Sequence, residues 1–346
     1  MTQATLYIDT DAIFANWQAL NARSALNVET AAVVKADGYG LDAGRVSATL
    51  AKQGVRTFFV AVAEEGIAVR KAVGNRPEIF VFSGMMLTDA AVLRDHNLIP
   101  LLNAPEQFTR YRAEMPDAPF GVQLDSGMNR LGMEADEFAP LRTEAANARL
   151  IISHLACADE PDHAHNVAQL AAFRGLTDGL DVRRSLAATG GTLLGADYHF
   201  DLCRPGIGLY GGAPFDDARP VVRLEIPIIQ TRTVMAGESV GYGANWVAQR
   251  NSRVATIAAG YADGLIRAMG NGNVTLFANG VPCPLIGRVS MDLITVDVTD
   301  VDDVPETLEL LNKTQTVDDI ADAAGTIGYE ILTSLGARYA REYRGT

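Results

Sequence analysis

Eight short apolar runs, each followed by a turn, punctuate the first two-thirds of the chain: AAVVKA (31–36), TFFVAV (57–62), EIFVFS (78–83), LIPLLN (98–103), FGVQLD (120–125), LIISHLA (150–156), RSLAAT (184–189) and LCRPGI (202–207). They are continuous rather than alternating, the pattern of strands covered on both faces. Between most of them lie stretches with helical spacing, such as AEEGIAVRKAVG and PDHAHNVAQLAAFRGL. Eight strands alternating with helices predict a (β/α)8 barrel of the TIM type, with an open doubly wound sheet as the alternative.

Beyond about residue 215 the texture changes. VVRLEIPIIQTRTV, RVATIAAG, NVTLFANGVPCPLIGRV and DLITVDVTD are strand-like, and Asn279-Gly280 between apolar runs signals a two-residue hairpin. The expected division is an N-terminal strand over 1–10 that joins the β domain, a barrel over 11–220, and a mainly β C-terminal domain over 221–346. The fold class is thus α/β with an added β domain.

A net charge of −13 argues against a nucleic-acid backbone or an anionic membrane as the main partner. Cys157, Cys203 and Cys283 lie far apart and form no CxxC pair, which fits a reducing cytoplasm and gives no zinc or other metal site. The N-terminal MTQATLYIDTD lacks the basic-then-apolar pattern of a signal peptide, and no apolar run reaches membrane-span length. The expected location is cytoplasmic.

Barrel chemistry gathers at the C-terminal ends of the strands. Those ends carry Lys35 and Tyr39, then Asp125 to Arg130 in LDSGMNRLG, His154 in ISHLACADE, Thr189-Gly190-Gly191 in LAATGGTLLG, and Arg204 with Gly206 in CRPGIGLYG. A lysine closing a buried strand is costly unless it is paired or neutral. Taken alone, it caps the strand and reaches to water. One lysine, two arginines, a histidine and glycine-rich turns converging on one face point instead to a site. GIGLYG (206–211) also matches GxGxxG, with Glu225 near the distance of a ribose-binding acid. Pro205 before the motif and GAPFDDARP after it do not suit the strand–turn–helix of a dinucleotide fingerprint. A glycine turn offering bare N–H groups to one phosphate fits better.

AVVKADGYG, LDSGMNRLG, SHLACADE, RPGIGLYG, VGYGANW, GYADGL and GRVSMDLITVDV follow one another across nearly the whole chain. In that order they resemble the bacterial alanine racemases, isomerases that use pyridoxal phosphate and pair a barrel with a β domain. The resemblance implies that Lys35 holds pyridoxal phosphate as a Schiff base and exchanges the α-proton on one face. Tyr242, in VGYGANW, implies the second base on the opposite face. Family members are head-to-tail homodimers, so the implied site joins Lys35 of one chain to Tyr242 of the other. A free phenol is a weak acid, so such a tyrosine needs cationic or hydrogen-bonding neighbours.

By the same resemblance Arg204 faces the pyridine nitrogen, leaves it largely unprotonated and weakens the electron sink. His154 stands behind Arg204 and orients it. Phosphate contacts are implied for Tyr39, Thr189, the backbone of Gly206 and Ile207, and Tyr329 in TIGYEI. Arg130 is implied near the cofactor's phenolic oxygen and the substrate carboxylate. Met291 and Asp292 close the site from the partner chain, and Tyr261 lines the access channel. The substrate implied is alanine, with D-alanine supplied to peptidoglycan or broken down.

The sequence departs from the family pattern in places. Gln123 stands where many relatives carry a lysine that can be carbamylated; its amide is expected to accept one hydrogen bond from Arg130 without supplying a charge. LAATG replaces LANSA, and KADGYG replaces KANAYG. A broad-specificity amino-acid racemase is the alternative within the family. A lone-barrel pyridoxal-phosphate carrier lacks the segment after 221, and a barrel-type decarboxylase calls for an acid at the pyridine nitrogen rather than Arg204.

Overall fold

The computed structural model describes residues 3–345, which fall into two compact units. One comprises Ile13–Ala218, the other the residues up to Ala12 together with those from Arg219 onward.

The unit Ile13–Ala218 is a parallel barrel. Strands Ala32–Val33, Thr57–Val60, Glu78–Val81, Ile99–Leu102, Gly121–Gln123, Ile151–Ile152 and Arg184–Ser185 lie side by side in chain order. Closure comes from Leu202–Cys203, which pairs in parallel with Glu29–Thr30. Backbone bonds continue the seam on both sides: Ala31 N–H to Cys203 O at 2.9 Å, Val33 N–H to Pro205 O at 3.0 Å, and Arg204 N–H to Ala187 O at 2.8 Å. An open doubly wound sheet is therefore ruled out. Each of the eight apolar runs contains one of these strands, because only a residue buried on both faces has no reason to alternate.

Phe58, Phe59, Phe80, Leu101, Val122 and Ile151 have no exposed surface. Phe59 stacks on Phe80 and on Phe82 at centroid distances of 5.2 and 5.3 Å. Each such ring contributes about 1.5–3 kcal/mol by burial. Outside the strands, helix Ala63–Val73 turns Gly66 toward Leu98, where a Cβ would sit 2.6 Å from a leucine methyl. GIGLYG forms a short 3-10 turn over Ile207–Tyr210 instead of opening an α-helix. That turn is no dinucleotide fingerprint.

In the second unit the thirteen-residue strand Val222–Val234 is the spine. It pairs antiparallel with Thr5–Asp9, Ser252–Ile257 and Thr307–Leu311, and Thr5–Asp9 pairs in parallel with Ala340–Arg344. Strands Thr275–Ala278 and Val281–Ile286 make the expected hairpin, with Asn279 at φ 51° and Gly280 at φ 84°. Glu225 lies in the spine strand, where it accepts from the Tyr7 hydroxyl at 3.1 Å and pairs with Arg223. It has no ribose-binding role there. Two helices, Val317–Ala324 and Gly328–Ser334, interrupt an otherwise β segment.

Candidate active site

Lys35 follows the first barrel strand and opens a turn of left-handed backbone. Ala36, Asp37, Gly38 and Tyr39 have φ of 52°, 53°, 65° and 56°. Left-handed geometry costs an L-residue about 1–2 kcal/mol, so three non-glycine residues here need compensation. Gly38 N–H donates to Val34 O at 2.9 Å, Ala43 N–H to Asp37 Oδ1 at 3.0 Å, and Ala36 N–H to Glu65 Oε1 at 2.8 Å. The turn carries Tyr39 back into the barrel, where its ring stacks on Tyr210 at 4.5 Å.

The Lys35 ammonium stands 5.7 Å from the centre of the Phe82 ring. Burial lowers its pKa, the guanidinium of Arg130 lowers it further, Glu65 opposes this, and Arg204 adds to the lowering. The result favours the neutral, nucleophilic amine.

Arg204 is fully buried. Its guanidinium donates through Nη1 to Ser185 Oγ and through Nη2 to Ser153 O at 2.7 Å and Leu186 O at 3.5 Å. Ser153 Oγ shares a proton with Ser126 Oγ at 2.7 Å, and buried Gln169 holds His154 O at 2.9 Å. Burial brings the Arg204 pKa down to about 10. The bonds that orient Arg204 thus come from Ser185, Ser153 and Leu186, not from His154 as expected. The physical reason is that three oxygen acceptors already engage both Nη groups. Desolvation, Arg204, Arg130 and Lys35 together push His154 down to about 3, so it is a neutral ring among cations.

Thr189 Oγ1 accepts from Gly206 N–H at 3.1 Å and from Gly208 N–H at 3.2 Å, tying two strand ends together. A Cβ on Gly206 would meet the Tyr39 hydroxyl at 2.3 Å, so that hydroxyl lies against bare backbone. Because the Gly206 amide is committed to Thr189, the amide of this turn left without an acceptor among the described residues is that of Ile207. Asp125 shapes the Arg130 turn, accepting from Gly127, Met128 and Arg130 N–H at 2.7, 2.8 and 3.1 Å. Buried Gln123 donates to Leu131 O at 3.1 Å. Its amide therefore works on the backbone beyond Arg130, and the expected bond from the Arg130 side chain to Gln123 is not formed.

The other candidates belong to the β unit. Tyr242, 72% exposed, stands on the 3-10 turn Tyr242–Ala244. At the next residue a Cβ on Gly243 would lie 3.2 Å from Arg288 Nη1, which sets a cation beside the Tyr242 turn. Arg288 was not among the sequence candidates; its place just before the VSMD segment was the available signal. Tyr261, Met291 and Asp292 come together: Tyr261 N–H donates to Ser290 O and Ala262 N–H to Met291 O, both at 3.0 Å. Arg338 bonds buried Asp263 at 2.6 and 2.7 Å and Asp292 at 2.7 Å. Tyr329 sits in the first turn of helix Gly328–Ser334 and is partly exposed.

The profile of the alanine racemase N-terminal domain matches residues 8–214, and that of the C-terminal domain matches 221–343. An alanine racemase of Dinoroseobacter shibae is 63% identical over 347 aligned positions, covering 100% of this chain and 99% of the relative. One from Rhizobium meliloti is 42% identical over 98% of this chain and 96% of its own. Among solved structures, an alanine racemase from Bartonella henselae, described as holding covalently bound pyridoxal phosphate, superposes with a TM-score of 0.93 at 36% identity, covering 99% of this chain and 100% of its own. A biosynthetic alanine racemase from Pseudomonas aeruginosa gives 0.91 at 36% identity over 100% of both chains.

Proposed function

The chain belongs to the alanine racemase family, and from that premise we propose that it interconverts L- and D-alanine with pyridoxal phosphate, Lys35 of one subunit working opposite Tyr242 of its partner. The observation that carries the reading is Lys35 itself: a half-buried amine at a barrel-strand end, biased toward its neutral form by burial and two guanidinium groups.

The barrel residues suit the cofactor. A phosphate calls for donors on a surface a Cβ would block. The Tyr39 hydroxyl, the Thr189 hydroxyl and the Ile207 N–H at bare Gly206 meet that need. Pyridoxal phosphate, when bound, would supply an aldehyde that captures the substrate amine and a conjugated ring that acidifies the α-carbon.

Arg204, held by three acceptors, keeps a positive charge facing the ring and resists giving up a proton. Lys35 Nζ, once freed, takes the α-proton on its face as the neutral amine and returns it as the ammonium. The partner's Tyr242 hydroxyl serves the other face, and Arg288 lies beside the turn that carries it. Arg130 binds the substrate carboxylate, the partner's Met291 N–H assists it, the partner's Asp292 closes the site, and Tyr261 lines the access channel. Two bases on opposite faces make either enantiomer a substrate. We place this homodimer in the cytoplasm; no helix of the described residues is long and apolar enough to cross a membrane.

The test is a chiral assay. Purified protein with pyridoxal phosphate should convert L-alanine to D-alanine and the reverse, and Lys35→Ala should do neither. Cofactor bound through Lys35 without any D-alanine would overturn the substrate assignment.

A further inference from the structure

Glu65 stands in the first turn of helix Ala63–Val73, where a glutamate ordinarily reaches back to the helix's own first amides. Its carboxylate instead reaches past them, to backbone outside the helix. Oε2 accepts from Ala61 N–H at 2.7 Å, while Oε1 crosses to the neighbouring strand end and accepts from Ala36 N–H at 2.8 Å. Ala36 follows Lys35 directly and is the first residue of the left-handed turn. Its strained backbone is thus fixed by a charge-assisted bond from a different element. Helix capping does not require that second bond.

We propose that Glu65 is a positioning residue for Lys35, fixing the backbone that carries the amine and supplying its counter-charge. The groups around Lys35 are otherwise cationic or neutral: Arg130 from the turn after Gly121–Gln123, Arg204 after Leu202–Cys203, His154 after Ile151–Ile152, and the Phe82 ring. Glu65 alone among them favours the protonated amine. It keeps Lys35 between two needs, neutral to attack a carbonyl and protonated to return a proton. A lysine surrounded only by cations would do the first well and the second poorly. The proposal rests on Lys35 being the cofactor lysine.

The experiment uses the full chain freed of cofactor. Trace acetic anhydride is added across a pH series, and acetylation of each lysine is read by peptide mass spectrometry. The chain has lysines only at 35, 52, 71 and 313, so Lys52 and Lys313 serve as internal references. In Glu65→Gln the midpoint of Lys35 acetylation should move to lower pH while the references stay, and pyridoxal phosphate uptake should slow by about tenfold. Adding Ala36→Gly to Glu65→Ala relieves the backbone strain; it should restore uptake and leave the midpoint shifted.

A Lys35 midpoint unchanged in folded Glu65→Gln overturns the proposal, as does restoration of both readouts by Ala36→Gly. Should Glu65→Ala not fold, the isosteric Glu65→Gln decides alone. Borohydride reduction of the wild-type holoprotein separates the two readings. A tag on a lysine other than Lys35 sinks the functional assignment, and a tag on Lys35 with an unmoved midpoint sinks only the role of Glu65.

Discussion

The barrel and the β unit hold their candidate residues in opposite ways. Arg204 is enclosed and its Nη groups bond Ser185, Ser153 and Leu186, whereas Tyr242 stands 72% exposed on a short turn. At Arg204 the proposed chemistry and the stability of the barrel use the same bonds. In the β unit the functional side chains are offered at a surface, and the fold is held by others, such as Arg338 on Asp263. A residue's value for function therefore predicts its value for stability in one unit and not in the other.

Substitutions can break that contrast. Lys35→Ala should reduce racemisation at least about 10⁴-fold, since it removes both the cofactor link and a base; initial rates of D-alanine formation from L-alanine measure it. Tyr242→Phe should cost about 10²–10⁴-fold, and unequally: solvent deuterium should enter the α-position from one enantiomer far more slowly than from the other. Its melting temperature should move little, because the change removes one hydroxyl and leaves the ring, a loss of at most about 0.5–1.5 kcal/mol. Equal losses from both enantiomers would refute the two-base assignment.

Arg204→Met tests the other half. It strands the Ser153 carbonyl in the buried interior and removes a bond to Ser185, which should cost about 1–3 kcal/mol in urea unfolding besides impairing turnover. Stability equal to wild type would dissolve the distinction between the units. The last test is a pH dependence at His154, whose pKa falls from 6.5 unfolded to about 3 folded. The folded state refuses a proton the unfolded chain accepts. Its stabilising contribution is thus complete above pH 6.5 and is lost as pH falls toward 3. The slope is at most about 1.4 kcal/mol per pH unit, reduced by the part of the ring that water still reaches. In His154→Gln, melts between pH 7 and pH 4 should show a shallower loss.

The barrel strands were legible because covered strands leave continuous apolar runs, and the hairpin because Asn279-Gly280 suits positive φ. The left-handed turn was not. Its glycine at 38 is visible, but Ala36, Asp37 and Tyr39 adopt the same region only because tertiary bonds hold them there. Glu65 escaped for a related reason. An acid in a helix's first turn looks like an ordinary dipole partner, and nothing local says that one oxygen serves another strand. Gln123 was noticed, yet its amide turned to the Leu131 carbonyl, a choice set by backbone that becomes close only in the closed barrel. The β-unit residues carry no pattern of their own and were reached through the family motifs alone.

Closure of the barrel joins the chain's first parallel strand to its last, Glu29–Thr30 beside Leu202–Cys203, and so sets Tyr39 against Gly206. During synthesis these partners leave the ribosome far apart in time. A nascent chain shorter than this seam has Lys35, Tyr39 and Thr189 but not the Gly206–Ile207 turn that completes the proposed phosphate surface. The bare backbone that Tyr39 packs against thus exists only once synthesis has passed the last barrel strand.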